Sequence, residues 1–208
     1  MVPLVALLVV LCGSLFAADY PVPEPRPAHT DIQVGAYVFP GWSAGRGDSY
    51  GEWKLIAKFA HPRPILGFYD DSLPEVADWH IKMAVEHGIT GFIYCWYRAD
   101  YEPTISQRLG HAIHEGLFNA KYRDAFTFTI MWENGCAKGV KDEADLLDNV
   151  LPFWIKTYFT HPSYLKIENQ PILFVWQPRV LLAELGGPEK TKVALDKMRE
   201  QCRRAGFS

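Results

Sequence analysis

Apolar residues gather along this chain in short bursts that end abruptly in polar or aromatic positions. The run from Phe126 to Ile130 is aromatic and β-branched, as in a buried strand, and it breaks into Trp132, Glu133 and Asn134 before Gly135. Three further runs follow the same grammar: Val34 to Phe39 leads to Trp42, Gly91 to Cys95 leads to Trp96 and Tyr97, and Ile172 to Val175 leads to Trp176. Between them the apolar period lengthens to that of a helix. Ser72 and Glu75 make a capping-box pattern ahead of a helix that runs to His87, with Gly88 as its stop. Thr104 and Gln107 make another, opening a helix with Leu109, Ala112 and Ile113 on one face. Leu146, Leu147, Val150, Leu151, Trp154, Ile155, Tyr158 and Phe159 form a third helical stripe, inside which Pro152 should kink or divide the helix. A last helix is expected from Pro188 to about Ala205, with Ala194, Leu195, Met198 and Cys202 along one side.

Strand and helix thus alternate four times, which reads as a parallel α/β sheet. Ligands of such sheets bind at the carboxyl ends of the strands, so the four Trp-bearing strand ends are expected to share one rim. Gly206-Phe207 follows the last helix as the lead-in to a fifth strand would. The expected fold is therefore α/β, the N-terminal half of a (β/α)8 barrel of typically ~250 residues, truncated after about four βα units. A small doubly wound domain is the alternative, and the Gly-rich phosphate fingerprint that would support it is absent.

Composition narrows the function. A net charge of -3 offers nucleic acid no basic excess, and 22% charged residues is ordinary for a globular domain. Seven Trp within an aromatic share of 14% is the one excess, and sugar binding would explain it. Residues 1–18 read as a signal peptide, with an apolar stretch from Val2 to Leu11 too short to span a membrane. The protein is accordingly expected to be secreted or periplasmic, with an uncleaved N-terminal membrane anchor as the alternative. Residues 19–30 are Pro-rich and read as an extended spacer, leaving 31–208 for the domain. Once Cys12 leaves with the signal, Cys95, Cys136 and Cys202 remain, an odd set without metal-ligand spacing. Cys95, inside an apolar strand, reads as a small buried hydrophobe. His111 and His114 stand three apart, but without a carboxylate or Cys partner a solvated helix face is the better reading. No metal and no cofactor are expected.

Glu133, directly after a buried strand, is the charge that most needs a use or a partner, and contact with a sugar hydroxyl would supply one. Asn134 suits either a hydroxyl or a turn. Trp42, Trp96, Tyr97, Trp132 and Trp176 can offer flat apolar faces to sugar rings, while Trp79 and Trp154, on helix stripes, read as core.

Several segments carry a resemblance. Gly35-Ala-Tyr-Val-Phe-Pro-Gly-Trp42, Gly67-Phe-Tyr-Asp70, Gly88-Ile-Thr-Gly-Phe-Ile-Tyr-Cys-Trp-Tyr97, Trp132-Glu-Asn134 and the stretch His161 to Phe174 resemble, in order and spacing, the motifs of the glycoside hydrolase family 99-like domain. That group includes proteins labelled WbsX-like glycosyltransferases. The resemblance implies a (β/α)8 barrel acting on glycans, with true family 99 members endo-acting on α-mannosides. It implies a polar site role for Asp70, although Asp70 and Asp71 could equally favour the following helix dipole. It also implies a catalytic carboxylate pair in a stretch Asn-Glu-Trp-x-Glu, which this sequence lacks, so the pair is expected beyond Ser208 and the fragment alone should be inactive. The expected function is that of a secreted glycoside hydrolase-like protein binding an oligo- or polysaccharide. A WbsX-like glycosyltransferase and a non-catalytic glycan-binding module are the alternatives, and the absence of an Asp-x-Asp triplet speaks against the transferase.

Overall fold

The computed structural model describes residues 21–43, 53, 58–59 and 64–208. The expected signal peptide and the Gly-rich part of the first loop lie outside the described residues. Four strands, β1 (Gly35–Val38), β2 (Gly91–Arg98), β4 (Thr127–Trp132) and β7 (Leu173–Val175), run parallel in the order β1-β2-β4-β7. Each is an apolar run recognised above, shifted by a few residues at its ends. A two-residue strand, β3 (Gln107–Arg108), pairs antiparallel with the end of β2, and β5 (Lys166–Ile167) with β6 (Gln170–Pro171) makes a separate hairpin.

The helices connect successive parallel strands. Helix α1 (Pro74–Val85) joins β1 to β2, a helical segment 112–119 joins β2 to β4, helix α2 (residues 143–159) joins β4 towards β7, and α3 (Pro178–Glu184) and α4 (Pro188–Arg204) follow β7. They cover one face of the sheet. Phe92, Tyr94 and Trp96 of β2 and Phe128, Ile130 and Trp132 of β4 point into a core shared with Ile81, Ile113, Leu146, Val150 and Trp154. The alternate residues Cys95, Tyr97, Met131 and Phe174 face the other way, where no helix lies among the described residues. Tyr37 on β1 meets Phe174 on β7 at 6.4 Å between ring centroids, although their strands are three places apart. In a flat sheet that separation would be about 14 Å, three strand spacings of ~4.8 Å. The sheet therefore curls sharply towards its uncovered face. Gly91 permits the close approach inside it, since a Cβ there would fall 2.6 Å from the Thr127 hydroxyl and 2.7 Å from its carbonyl.

Several local expectations are corrected. Ser72 does not cap α1: Leu73 holds the N-cap position without a side-chain bond, and Pro74 starts the helix with its missing N–H where none is needed. Gln107 opens no helix, because it pairs with β2 and the chain then turns at Leu109, buried with φ +58°. Pro152 does not divide α2. The helix widens to a π turn over Leu146–Val150, where the Leu151 N–H reaches five residues back to the Leu146 carbonyl, and widens again over Ile155–Phe159. The described part of the Pro-rich stretch is docked: Arg26 and Ala28 donate to Glu86 Oε1 (2.9 Å) and to the Val85 carbonyl (2.8 Å), and the Val22 carbonyl accepts from the Tyr122 hydroxyl. Among the described residues no helix is long and apolar enough to cross a membrane.

Candidate functional site

At the carboxyl ends of the strands, on the uncovered face, lies a concavity of about 640 Å³. Tyr37 and Phe39 of the first strand end, Cys95 and Tyr97 of β2, and Met131 of β4 form its floor; Glu133, Cys136 and Trp176 stand at its rim. The volume is within the range of about 300–1,000 Å³ common to ligand pockets. Tyr37 is 62% and Trp176 54% exposed, both high for side chains of their size. Phe39 sets its edge against Tyr97 at 6.4 Å and against Trp42 at 6.1 Å.

The eight residues expected at the site part company here. Trp176 and Tyr97 face the concavity. Trp96 and Trp132 do not: paired across β2 and β4, they point to the helix side, 0% and 1% exposed, and meet Trp154 edge-on at 5.2 and 5.1 Å. The physical reason is the two-residue period of a strand, which sends each of these indoles to the face opposite Tyr97 and Glu133. Trp154 is core as expected, and Trp79 is half-buried. Trp42 is half-buried behind Phe39 and tilted by 31° against Trp53 at 4.3 Å between ring centroids, and the Trp53 indole N–H donates to the Tyr69 carbonyl.

Glu133 is turned into its own loop. Its Oε1 accepts from the N–H groups of Gly135 (3.2 Å) and Cys136 (3.1 Å), and its Oε2 from those of Cys136 (3.0 Å) and Ala137 (3.0 Å). Three N–H groups, that of Cys136 shared between both oxygens, thus converge on the one carboxylate. Glu133 thus organises the β4 loop at the edge of the concavity. Asn134, 2% exposed, donates to the Gln177 carbonyl (2.9 Å) and accepts from the Gln177 N–H (2.8 Å), a reciprocal bracket that ties the β4 end to the β7 end. With the Trp176 N–H bonded to the Trp132 carbonyl (3.0 Å), that bracket fixes the backbone on both sides of the exposed Trp176 indole. Asp70 Oδ1 accepts from the Ser72 N–H (2.9 Å), forming the turn into α1.

Asp71, which the sequence did not single out over Asp70, is the more unusual carboxyl. It is 7% exposed, and it holds Trp42 from both sides: its Oδ2 accepts from the Trp42 N–H (2.9 Å) and its own N–H donates to the Trp42 carbonyl (2.8 Å). Burial pushes its carboxyl up to about 7, the Trp42 N–H pulls the other way, and the charge of Asp70 adds to the rise. It borders a second cavity of about 440 Å³ beside Tyr69 and His80, whose imidazole burial lowers to about 4. The only hint in the sequence is a doubled Asp before a helix, which does not say which of the two is buried.

Burial raises the Cys95 thiol, a hydrogen bond from Tyr97 partly offsets this, and the Glu133 charge adds to it, so the sulfur facing the concavity stays protonated. Cys95 is half-buried and lines the concavity, so it is not the fully enclosed hydrophobe expected. His111 and His114 are not on a solvated face either. His111 is 4% exposed, and His114 stacks on Tyr158 with its Nε2 2.9 Å from that hydroxyl. Among the described residues no three His, Cys, Asp or Glu side chains group as metal ligands would.

Residues 47–208 match the family model described as Glycosyltransferase WbsX. The chain is 26% identical over 215 residues to the uncharacterized protein WxcX of two strains of Xanthomonas campestris pv. campestris, covering 89% of this chain. It spans only 28% of the length of those curated relatives. Among solved structures, it is similar to the GH99 endo-alpha-mannosidase from Bacteroides thetaiotaomicron in complex with Bis-Tris-propane, with a TM-score of 0.49 at 19% identity, over 72% of this chain and 43% of that one. A second structure of that enzyme gives a TM-score of 0.46 at 16% identity, over 70% and 46% of the two chains.

Proposed function

The chain belongs to the glycosyltransferase WbsX family, a carbohydrate-active group, and from that premise we propose that it supplies the first half of a (β/α)8 barrel that binds an oligo- or polysaccharide across its strand ends. With carboxylates contributed from beyond Ser208, the complete enzyme cleaves glycosidic bonds. The observation that carries this reading is the aromatic concavity at the carboxyl ends of a curled, one-side-covered sheet, with Trp176 and Tyr37 presented to solvent. Sugar rings have one apolar face, and an exposed indole or phenol held by rigid backbone matches it. The curl towards the uncovered face is what a barrel of parallel strands requires, whereas a doubly wound sheet would carry helices on both sides.

Hydrolysis is the preferred reaction. Among the described residues the concavity's lining carries one carboxylate, engaged by its own loop, and no cation, which does not favour the pyrophosphate of a nucleotide sugar. The expected signal peptide would also separate the protein from cytosolic donors. α-Mannosides are the first substrates to try, because the motif resemblance implies them. Transfer to a sugar acceptor is the second reading, favoured by the family's own description.

The test is an assay of the full-length protein against mannans and a wider glycan panel, with nucleotide sugars titrated by calorimetry in parallel. Release of sugar, with Trp176→Ala lowering kcat/KM about tenfold or more, supports the reading. No release with any glycan ends the hydrolase assignment, and tight nucleotide-sugar binding puts the transferase in its place.

A further inference from the structure

We propose that the sugar seated against the β1–β2–β4 wall of the concavity carries a methyl group, as a 6-deoxyhexose or an acetylated hexose does, an assignment that rests on the glycan reading above. Among the described residues, the part of the wall between β2 and β4 is built mainly from sulfur and aromatic carbon. Glu133, its one charged side chain, is already engaged by the three N–H groups of residues 135–137. The heteroatoms of the floor between β2 and β4 are soft: the thioether of Met131 and the thiol of Cys95, with the Cys136 thiol at the rim, all weak hydrogen-bond partners. Met131 is 6% exposed and opposes Cys95 directly in the β2–β4 register, so two sulfurs lie side by side on the floor, flanked by the ring of Phe39.

A hydroxymethyl group pressed against this floor would surrender its water and gain no partner of comparable strength. A methyl group there loses nothing and gains dispersion contact with polarizable sulfur and an aromatic ring. The Tyr37 phenol, at the β1 side of the same wall, can meet a secondary hydroxyl of the same residue. Apolar pockets separate ligands that differ by one such group by roughly 10- to 200-fold.

The test compares α-linked disaccharides identical except at C6, carrying a hydroxyl, hydrogen or O-acetyl group, titrated into the full-length protein by calorimetry. The expected result is that the deoxy or the acetylated sugar binds about tenfold or more tightly than the hydroxylated one, and which of the two wins identifies the source of the methyl. Cys95→Ser and Met131→Gln should each bring the three ligands towards equal affinity; the first changes volume little, so a fold defect in the second still leaves a reading. Equal affinity for all three in the unaltered protein, or preference for the hydroxyl, overturns the methyl assignment while leaving glycan binding intact. Failure to bind any of the three, or any other glycan, removes both.

Discussion

Arg98 and Asp145 are 0% and 5% exposed and form a buried ion pair. Arg98 donates to both Asp145 oxygens (2.6 and 3.0 Å) and to the carbonyls of Gly139 and Glu102, while Asp145 also accepts from Lys141 N–H and Asn149. Burial alone would raise the Asp145 carboxyl, but Arg98, Asn149 and the Lys141 N–H together bring it down to about 2. Removing the guanidinium strands a buried carboxylate, so Arg98→Met should cost about 3–5 kcal/mol in urea unfolding. Because the folded pKa lies below the unfolded one, this stabilisation is complete above about pH 4 and fades as pH falls through 2, a difference of about 2 kcal/mol. Asp71 has the opposite sign. Its folded value of about 7 exceeds the unfolded one, so its contribution is full below about pH 4 and is lost as pH rises through 7. Asp71→Asn keeps an oxygen for the Trp42 N–H and should flatten the stability profile across that window; an unchanged slope would mean Asp71 ionises freely in the fold.

Elements were easier to read than the faces they present. All four apolar runs became parallel strands because Phe, Ile, Tyr and Trp in short bursts fit strands that are apolar on both faces. For the same reason the faces were not distinguishable: when both sides of a strand are apolar, alternation gives no contrast. Trp96 and Trp132 were therefore expected at a rim when their parity sends them to the core, and only Trp176, one residue past Val175, falls on the open side. Glu133 and Asn134 were legible as strand-end groups, but whether they meet a ligand or their own loop depends on the turn at residues 135–137 and on Gln177, which no local pattern encodes. The capping boxes failed because neighbouring bonds took precedence, Asp70 engaging the Ser72 N–H and β2 capturing Gln107. The Asn134 bracket belongs to this scale because it joins two strand ends. Asn134→Ala leaves the Gln177 N–H and carbonyl without those partners, so it should cost about 1–3 kcal/mol and speed amide exchange at Gln177 while β2 amides keep their protection. Protection at Gln177 equal to that of the unaltered protein would show the bracket to be redundant.

At the scale of the whole molecule, the sheet is curled so far that Tyr37 and Phe174 touch from strands at its two edges, and among the described residues helices cover only its convex side. The motif resemblance to a WbsX-like domain is borne out by the family match over residues 47–208, while the continuation of the barrel stays part of the proposal. That proposal has a physical consequence that does not involve substrate. β1 and β7 each have a neighbour on one side only among the described residues, so alternate N–H and C=O groups along them point away from the sheet. Unpaired edges of this kind exchange their amide protons quickly and invite pairing with any available strand. If further strands close the barrel, those outward amides of Gly35–Val38 and Leu173–Val175 should exchange at least about a hundredfold more slowly in the full-length protein than in the 208-residue chain, while amides of β2 and β4 change little. Hydrogen exchange followed by mass spectrometry reads both sets at once. Equal rates at the two edges in the two proteins would leave the sheet open, and the concavity would then be a surface groove with no opposite wall.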